Sequence, residues 1–150
     1  MTFAETIKND VFQSYIGVKC DIELNDWNDD ANNVYVLSRD DNFLYYLKDD
    51  GSSIGALGIQ YIENIKKCHT KTTNELDSQN PQHIDKNYFS GKTANVSLHE
   101  KHFWSGILGK ETEYLEIAIS ELNDTHLCFL KGACNEQNIP IEQVSKIEIV

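Results

Sequence analysis

The chain has 150 residues, of which 40% are hydrophobic and 10% aromatic, and it carries a formal net charge of -11. This length allows one domain or two small units that share a core, and the composition excludes a disordered chain. The chain has no apolar run of 18 residues and does not begin with a signal-peptide pattern, so we expect a cytoplasmic protein that does not enter a membrane.

The negative charge is concentrated in one fifth of the chain. Between residues 21 and 50, nine acidic residues stand against Arg39 and Lys48, which leaves -7 of the -11 in this segment. An acidic surface repels the phosphates of nucleic acids and attracts basic proteins. We therefore expect a basic protein partner and no binding of nucleic acid.

The first element in chain order is a predicted helix. Phe3, Ile7, Val11 and Tyr15 recur at the spacing of one helical face, and this pattern ends near Gly17. We expect a short amphipathic N-terminal helix over residues 3–15.

Short strands separated by polar turns follow the helix. Residues 18–24 alternate apolar and polar side chains, which is typical of a half-buried strand. The pattern predicts further strands at 34–37 and 43–47, and either a last strand or a strand with a helical turn within 54–65. Residues 69–92 are almost entirely polar and read as a linker, after which strands are predicted at 93–98, 114–119 and 126–131.

The two strand-rich segments look like copies of each other. Val36, Leu44, Leu47 and Lys48 have counterparts 83 residues later, at Ile119, Leu127, Leu130 and Lys131. Other apolar residues match at shifts of 74 and 82, and each copy ends in the pattern Ile-x-x-(Ile/Val)-x-x-Ile. We interpret this as an internal duplication with an N-terminal unit at 1–68, a linker at 69–92 and a C-terminal unit at 93–150, packed as one globule.

The spacing of three at the end of each copy is wrong for a plain strand and fits a strand that enters one tight helical turn before pairing again. In the second copy this segment reads Asn138-Ile-Pro-Ile-Glu-Gln-Val-Ser-Lys-Ile-Glu-Ile149. It resembles the small, strongly bent barrels of the Sm-like type, in which a short helical turn precedes the last strand. The resemblance implies a fold and not an activity, because Sm-like proteins that bind RNA carry basic and aromatic loop residues where this chain carries acids.

The predicted fold class is therefore mainly β, of the α+β type. We expect two similar antiparallel meanders or small barrels, preceded by the short helix.

No motif for catalysis, a metal or a cofactor is evident. His99 and His102 are not paired with cysteines at zinc-ligand spacing, and Asp26–Asp30 lacks the order of a calcium loop. The four cysteines, Cys20, Cys68, Cys128 and Cys134, are expected to be reduced thiols without a catalytic role. We therefore predict no cofactor, no metal and no enzymatic activity.

The candidate partner-binding residues are exposed acids and two tryptophans. Trp27 lies in an acidic loop, which is a composition found at binding hot spots, although a simple solvated loop fits the same residues. Trp104 lies in the apolar insert 103–109, which is either core or a partner-binding patch. The full set comprises Asp26, Trp27, Asp29, Asp30, Asp40, Asp41, Asp49, Asp50 and Trp104.

The function that these features favour is an interaction protein that neutralises a basic partner. An immunity protein against a bacterial nuclease toxin is the most concrete form, and a small phage-type inhibitor is the next. One alternative is a β-barrel scaffold or ligand-binding module that forms a homodimer or larger oligomer through its edge strands. The other is a hydrolase whose site is assembled from distant residues such as His99, His102, Asp124 and His126.

Overall fold

The computed structural model describes residues 12–24, 31–68, 84–98, 113–131 and 135–150. These residues form one open antiparallel sheet of ten strands, in the order β5-β1-β2-β3-β4-β10-β6-β7-β8-β9. The strands are β1 Lys19–Leu24, β2 Ala31–Arg39, β3 Phe43–Lys48, β4 Ile54–Gly58, β5 Ile62–Lys67, β6 Thr93–Leu98, β7 Glu113–Leu122, β8 His126–Lys131, β9 Asn135–Pro140 and β10 Val144–Ile149. The prediction of a mainly β, antiparallel protein is confirmed.

Tight helical turns precede β5 and β10. Ile59–Tyr61 and Ile141–Gln143 each form a single 3-10 turn, and the chain resumes pairing at the next residue. The apolar spacing of three predicted this arrangement, because a 3-10 turn brings residues three apart onto one face. After the first turn β5 pairs with β1, and after the second turn β10 pairs with β6. In each half, the last strand therefore lies beside the first strand.

The two halves of the sheet agree in fine detail. Asn33 in β2 and Glu116 in β7 are the only described non-glycine residues with positive φ, at 56° and 52°, and they lie 83 residues apart. The backbone N–H of Asn33 donates to Asp21 Oδ1 at 2.9 Å, and that of Glu116 donates to Asn95 Oδ1 at 2.8 Å. A left-handed glutamate is uncommon, so this agreement is not a generic property of strands. The origin of the agreement in a duplication stays a prediction.

The halves join through β4 and β10, and we call this pairing the seam. Leu57, Ala56 and Gly55 lie opposite Lys146, Ile147 and Glu148 in an antiparallel register. The halves therefore form one continuous sheet, with two buried apolar clusters, and do not close as two separate barrels. The larger cluster crosses the seam, since it contains Phe43 and Tyr45 of the first half together with Phe129 of the second.

Several predicted elements fall wholly or partly outside the described residues. Most of the predicted N-terminal helix lies at 3–11, so that prediction is not confirmed. Of the predicted linker, residues 69–83 lie outside, whereas the described residues at its end form a 3-10 turn, Lys86–Phe89, with Phe89 fully buried. Within the described part of the chain, no helix has the length and apolarity needed to cross a membrane.

Candidate functional site: an acidic cleft between two turns

The predicted site residues are not all brought together. Asp26, Trp27, Asp29, Asp30 and Trp104 lie outside the described residues. Asp40 and Asp41 precede β3 while Asp49 and Asp50 follow it, so the two pairs lie at opposite ends of this strand. The structure places the first pair, Asp40 and Asp41, in the lining of a cleft.

The cleft lies where the β2–β3 turn and the β7–β8 turn approach the segment before β6. Its volume is about 390 Å³. We call it the acidic cleft, and its lining residues are Asp40, Asp41, Asp85, Lys86, Asn87, Leu122, Asn123 and Asp124. Four carboxylates and one ammonium group give this lining a formal charge of -3.

Asp40 organises the turn that enters β3. Its Oδ1 accepts hydrogen bonds from the backbone N–H groups of Asn42 and Phe43, both at 2.8 Å. An aspartate that satisfies backbone donors two and three residues later stabilises a tight turn. Its Oδ2 accepts from the hydroxyl of Tyr45 at 2.5 Å and from Lys86 Nζ at 2.9 Å. Both oxygens of this carboxylate are thus fully engaged.

Lys86 connects the two turns. Its ammonium group contacts Asp40 Oδ2 and Asp124 Oδ1, each at 2.9 Å. The Lys86 side chain is only 10% exposed, whereas the Asp124 side chain is 89% exposed. The segment before β6 therefore inserts one cation between a largely covered carboxylate of the first half and an open carboxylate of the second.

The titration behaviour of this network follows from its hydrogen bonds. Burial would raise the pKa of Asp40, but the hydrogen bonds from Tyr45, Lys86 and the turn amides outweigh it and lower that pKa. Burial would likewise lower the pKa of Lys86, but its two carboxylate partners raise it. The pKa of Tyr45 is raised, first by burial and then by its bond to Asp40. Asp40 and Lys86 are therefore ionised, and Tyr45 is neutral, at neutral pH.

Two carboxylates of the acidic cleft remain available to an external cation. Asp41 and Asp85 are exposed, and neither takes part in the salt bridges found among the described residues. Asp85 Oδ1 accepts from the backbone N–H of Asn87, at 3.0 Å. These two carboxylates and Asp124 form an open rim around the seated ammonium of Lys86.

Asp49 and Asp50 have local roles at the other end of β3. Asp49 pairs with Lys19 Nζ at 2.9 Å, and Asp50 Oδ1 accepts from the backbone N–H of Ser52 at 2.9 Å. Their participation in partner binding stays a prediction.

The described residues offer little for metal or nucleophilic chemistry. They contain no group of three or more His, Cys, Asp or Glu side chains placed to hold a metal ion. Cys20, Cys68 and Cys128 are free thiols, and burial raises the pKa of Cys20 to about 12. Of the residues suggested for a hydrolase, Asp124 lines the acidic cleft and His126 does not, while His99 and His102 lie outside the described residues.

Sequence reasoning missed Asp85 and Lys86 because the stretch around them was assigned to a linker. A signal was present, since Phe89 and Gly91 match Tyr15 and Gly17 at the shift of 74 that relates the first strands of the halves. Gly17 and Gly91 have φ values of 84° and 81°, and their N–H groups donate to the carbonyls of Val36 and Ile119. The segment before β6 is therefore the counterpart of the segment before β1.

No protein-family model, curated protein or solved structure matches this chain.

Proposed function

We propose that this protein is a non-catalytic interaction module whose acidic cleft receives a cationic side chain of a basic protein partner. The observation that carries the proposal is the seating of Lys86 between Asp40 and Asp124. It supports the idea that the cleft accommodates an ammonium group, while Asp41 and Asp85 supply further carboxylates at the rim. A lysine or arginine of a partner would meet this rim, with Lys86 as its floor.

Long-range charge supports the same proposal. A net charge of -11 accelerates encounter with a cationic surface, and a concave acidic site concentrates that attraction. In its most concrete form the partner is a nuclease toxin or another enzyme with a basic phosphate-binding surface, which the protein would cover as an immunity protein or a phage-type inhibitor. The same charge opposes binding to the nucleic acid itself.

The shifts in pKa support a binding role over a hydrolytic one. General acid–base catalysis at neutral pH works best with groups that titrate near neutrality. In the acidic cleft, the pKa of Asp40 is lowered, and those of Lys86 and Tyr45 are raised, so all three move away from that range. This network holds its protons in place and favours a fixed arrangement of charge.

The scaffold alternative has one observation in its favour. In the described part of the chain, the edge strands β5 and β9 have no neighbour on their outer side, and open edges invite pairing with another strand. The cleft carries the interaction proposal independently of these edges.

The agreement between the halves further supports an origin by duplication of one five-stranded unit, with the cleft arising where the two units meet.

Association kinetics test the proposal. Affinity capture from the native host would first provide the partner, and its association rate would then be measured for the variant Asp41→Lys/Asp85→Asn. Asparagine at position 85 preserves the oxygen that accepts from Asn87. We expect association to slow by at least tenfold at low salt, with a weaker dependence on salt concentration.

The matched control is Glu23→Lys/Glu63→Gln, which changes the net charge equally at two exposed acids outside the cleft lining. We expect this control to slow association much less. Equal slowing by both variants would show that only net charge matters, and no slowing by either would reject the cleft as the contact surface.

A further inference from the structure

The seam between β4 and β10 has an unusual consequence for the ends of the sheet. β9 is the counterpart of β4, and β5 is the counterpart of β10, because each occupies the same place in its half. In the described part of the chain, which joins its halves through β4 and β10, the two edges of the sheet therefore present the same two kinds of strand. Copies of such a chain could in principle add head to tail, β9 of one to β5 of the next.

The seam fixes the register that such an addition would have. The pairs Leu57–Lys146, Ala56–Ile147 and Gly55–Glu148 translate into Ile139–Asn64, Asn138–Ile65 and Gln137–Lys66.

The first difference is steric and concerns Gly58. A Cβ at this position would lie 2.7 Å from the carbonyl oxygen of Val144 across the seam, so only glycine fits there without a shift of backbone. The counterpart of Gly58 is Pro140, with almost the same backbone angles: φ -63° and ψ 116° for Gly58, φ -55° and ψ 136° for Pro140. Since proline has a Cβ, the equivalent contact between two copies would place it against the carbonyl oxygen of Ile62.

The second difference concerns Glu148. In the seam, its carboxylate accepts from the hydroxyl of Tyr46 at 2.7 Å and pairs with Lys48 at 3.4 Å. The counterpart of Glu148 is Lys66 and that of Tyr46 is Phe129. A lysine has no acceptor and a phenylalanine no hydroxyl, so neither contact can form between two copies.

A third difference lies beside the second. The Tyr46 ring reaches Glu148 by crossing Gly55, where a Cβ would lie only 2.3 Å from the ring. Gln137 stands at the corresponding position of β9 and is exposed. The edge strands β9 and β5 therefore differ from β4 and β10 at the positions of Gly55, Gly58 and Glu148, on which the seam depends.

We infer that the seam is an interface used once per chain, and that Pro140 and Lys66 prevent a second copy of the chain from repeating it at the free edges. The two halves are complementary to each other across β4 and β10 but not across β9 and β5. The chain stops at two units, which leaves one acidic cleft per molecule. This inference rests on the seam and not on the proposed function of that cleft.

Sedimentation velocity tests the inference by measuring mass against protein concentration. The wild-type protein is expected to keep the mass of one chain when it is measured at protein concentrations from about 10 to about 500 µM. The variant Lys66→Glu/Pro140→Gly gives the edge strands the residue types of Glu148 and Gly58, which are the two positions that the inference holds responsible, and leaves Phe129 and Gln137 unchanged. Its weight-average mass is expected to rise at least twofold over this range, with circular dichroism of a folded β protein.

The matched control is Lys67→Glu/Pro140→Gly, which has the same net charge and the same change in β9 but leaves Lys66 in place. We expect it to stay at the mass of one chain. A wild-type protein that itself assembles through β5 and β9, as mapped by hydrogen exchange at these strands, would overturn the inference without any variant. A folded Lys66→Glu/Pro140→Gly variant that stays at the mass of one chain would overturn it as well. If that variant does not fold, the wild-type measurement decides.

Discussion

The β2–β3 turn and the β7–β8 turn have the same backbone and different chemistry. In the first, Asp40 Oδ1 accepts from the N–H groups of Asn42 and Phe43; in the second, Asn123 Oδ1 accepts from those of Thr125 and His126, all four at 2.8 Å. An amide oxygen therefore serves the turn as well as a carboxylate oxygen does. Only the carboxylate offers a second acceptor oxygen, and this one holds Tyr45 and Lys86.

Asp40 therefore has two roles: it stabilises its own turn and it holds Lys86. Asn123 has only the first of these roles. The turn itself needs one oxygen acceptor, which either residue provides. The contact between the halves needs a negative charge, because Lys86 is largely buried and a buried ammonium group requires ionic partners. Substitutions at the two turns can therefore separate local turn formation from the connection between the halves.

The largest effect is expected for Asp40→Ala, which removes the turn acceptor together with the carboxylate partner of Lys86 and Tyr45. Breaking a buried ion pair by removing one partner costs about 3–5 kcal/mol, and the partial exposure of this pair favours the lower end of that range. Asn123→Ala, the control, removes only the turn acceptor and should cost about 1 kcal/mol. Urea unfolding of both variants measures the difference. Equal losses in the two variants would mean that neither Lys86 nor Tyr45 contributes to stability through Asp40.

A smaller effect is expected for Asp40→Asn, which gives the first turn the residue type of the second. The turn bonds should persist, while the charge that holds Lys86 is lost, at a cost of about 2 kcal/mol. In an NMR spectrum, the backbone amide signals of Asn42 and Phe43 should remain close to their wild-type positions, and the signals of Lys86 should move. Loss of the turn signals instead would show that the amide cannot replace the carboxylate here.

Tyr45→Phe removes one donor to Asp40 and leaves the turn and Lys86 in place. A hydrogen bond to a charged group contributes about 1.5–3 kcal/mol, and we expect a loss near the lower value because Asp40 keeps its other donors. The pKa of Asp40 should also rise, since the Tyr45 hydroxyl is the leading contact that lowers it. A titration of the Asp40 carboxyl carbon by NMR would measure the change. An unaltered pKa would contradict the hydrogen bond.

The smallest expected effect is on the pH dependence of stability. The pKa of Asp40 is lowered in the folded protein, so its contribution is fully present above its unfolded value, about 3.9, and is lost as pH falls through the folded value. When unfolding is measured between about pH 5 and about pH 3, the stability of the wild-type protein should fall more steeply than that of Asp40→Asn. Urea unfolding at several pH values measures the slopes. Parallel slopes would show that the pKa of Asp40 is the same in both states.

The sequence predicted the local structure well where the pattern of side chains is itself the cause. Alternation placed β1, and apolar runs between polar turns placed β2, β3, β6, β7 and β8, near their observed positions; the spacing of Ile59, Ile62 and Ile65 predicted a helical turn before β5. Asp40-Asp41 and Asn123-Asp124 lie 83 residues apart, which is the shift that relates Val36 to Ile119, and the two turns are similar. These features depend on contacts between residues that are close in the chain, so they can be predicted from the sequence.

The candidate site was only half visible for the same reason. Asp40 and Asp41 belong to a turn and were singled out, whereas Lys86 and Asp124 lie far along the chain from Asp40 and reach it only when the sheet is complete. A lysine in a polar stretch is normally solvated. The residues next to Lys86 in the sequence did not indicate that its side chain would be only 10% exposed.

By itself, the sequence determined a mainly β protein with antiparallel strands and a strong negative charge, because strand periodicity, turn residues and charge are properties of short segments. Only the tertiary structure decided that β4 pairs with β10, that the halves share one open sheet, and that Lys86 lies between two carboxylates. Pairing between distant strands depends on which edges are complementary in shape and charge, as at Gly58 and Glu148, and that complementarity exists only once both strands are folded.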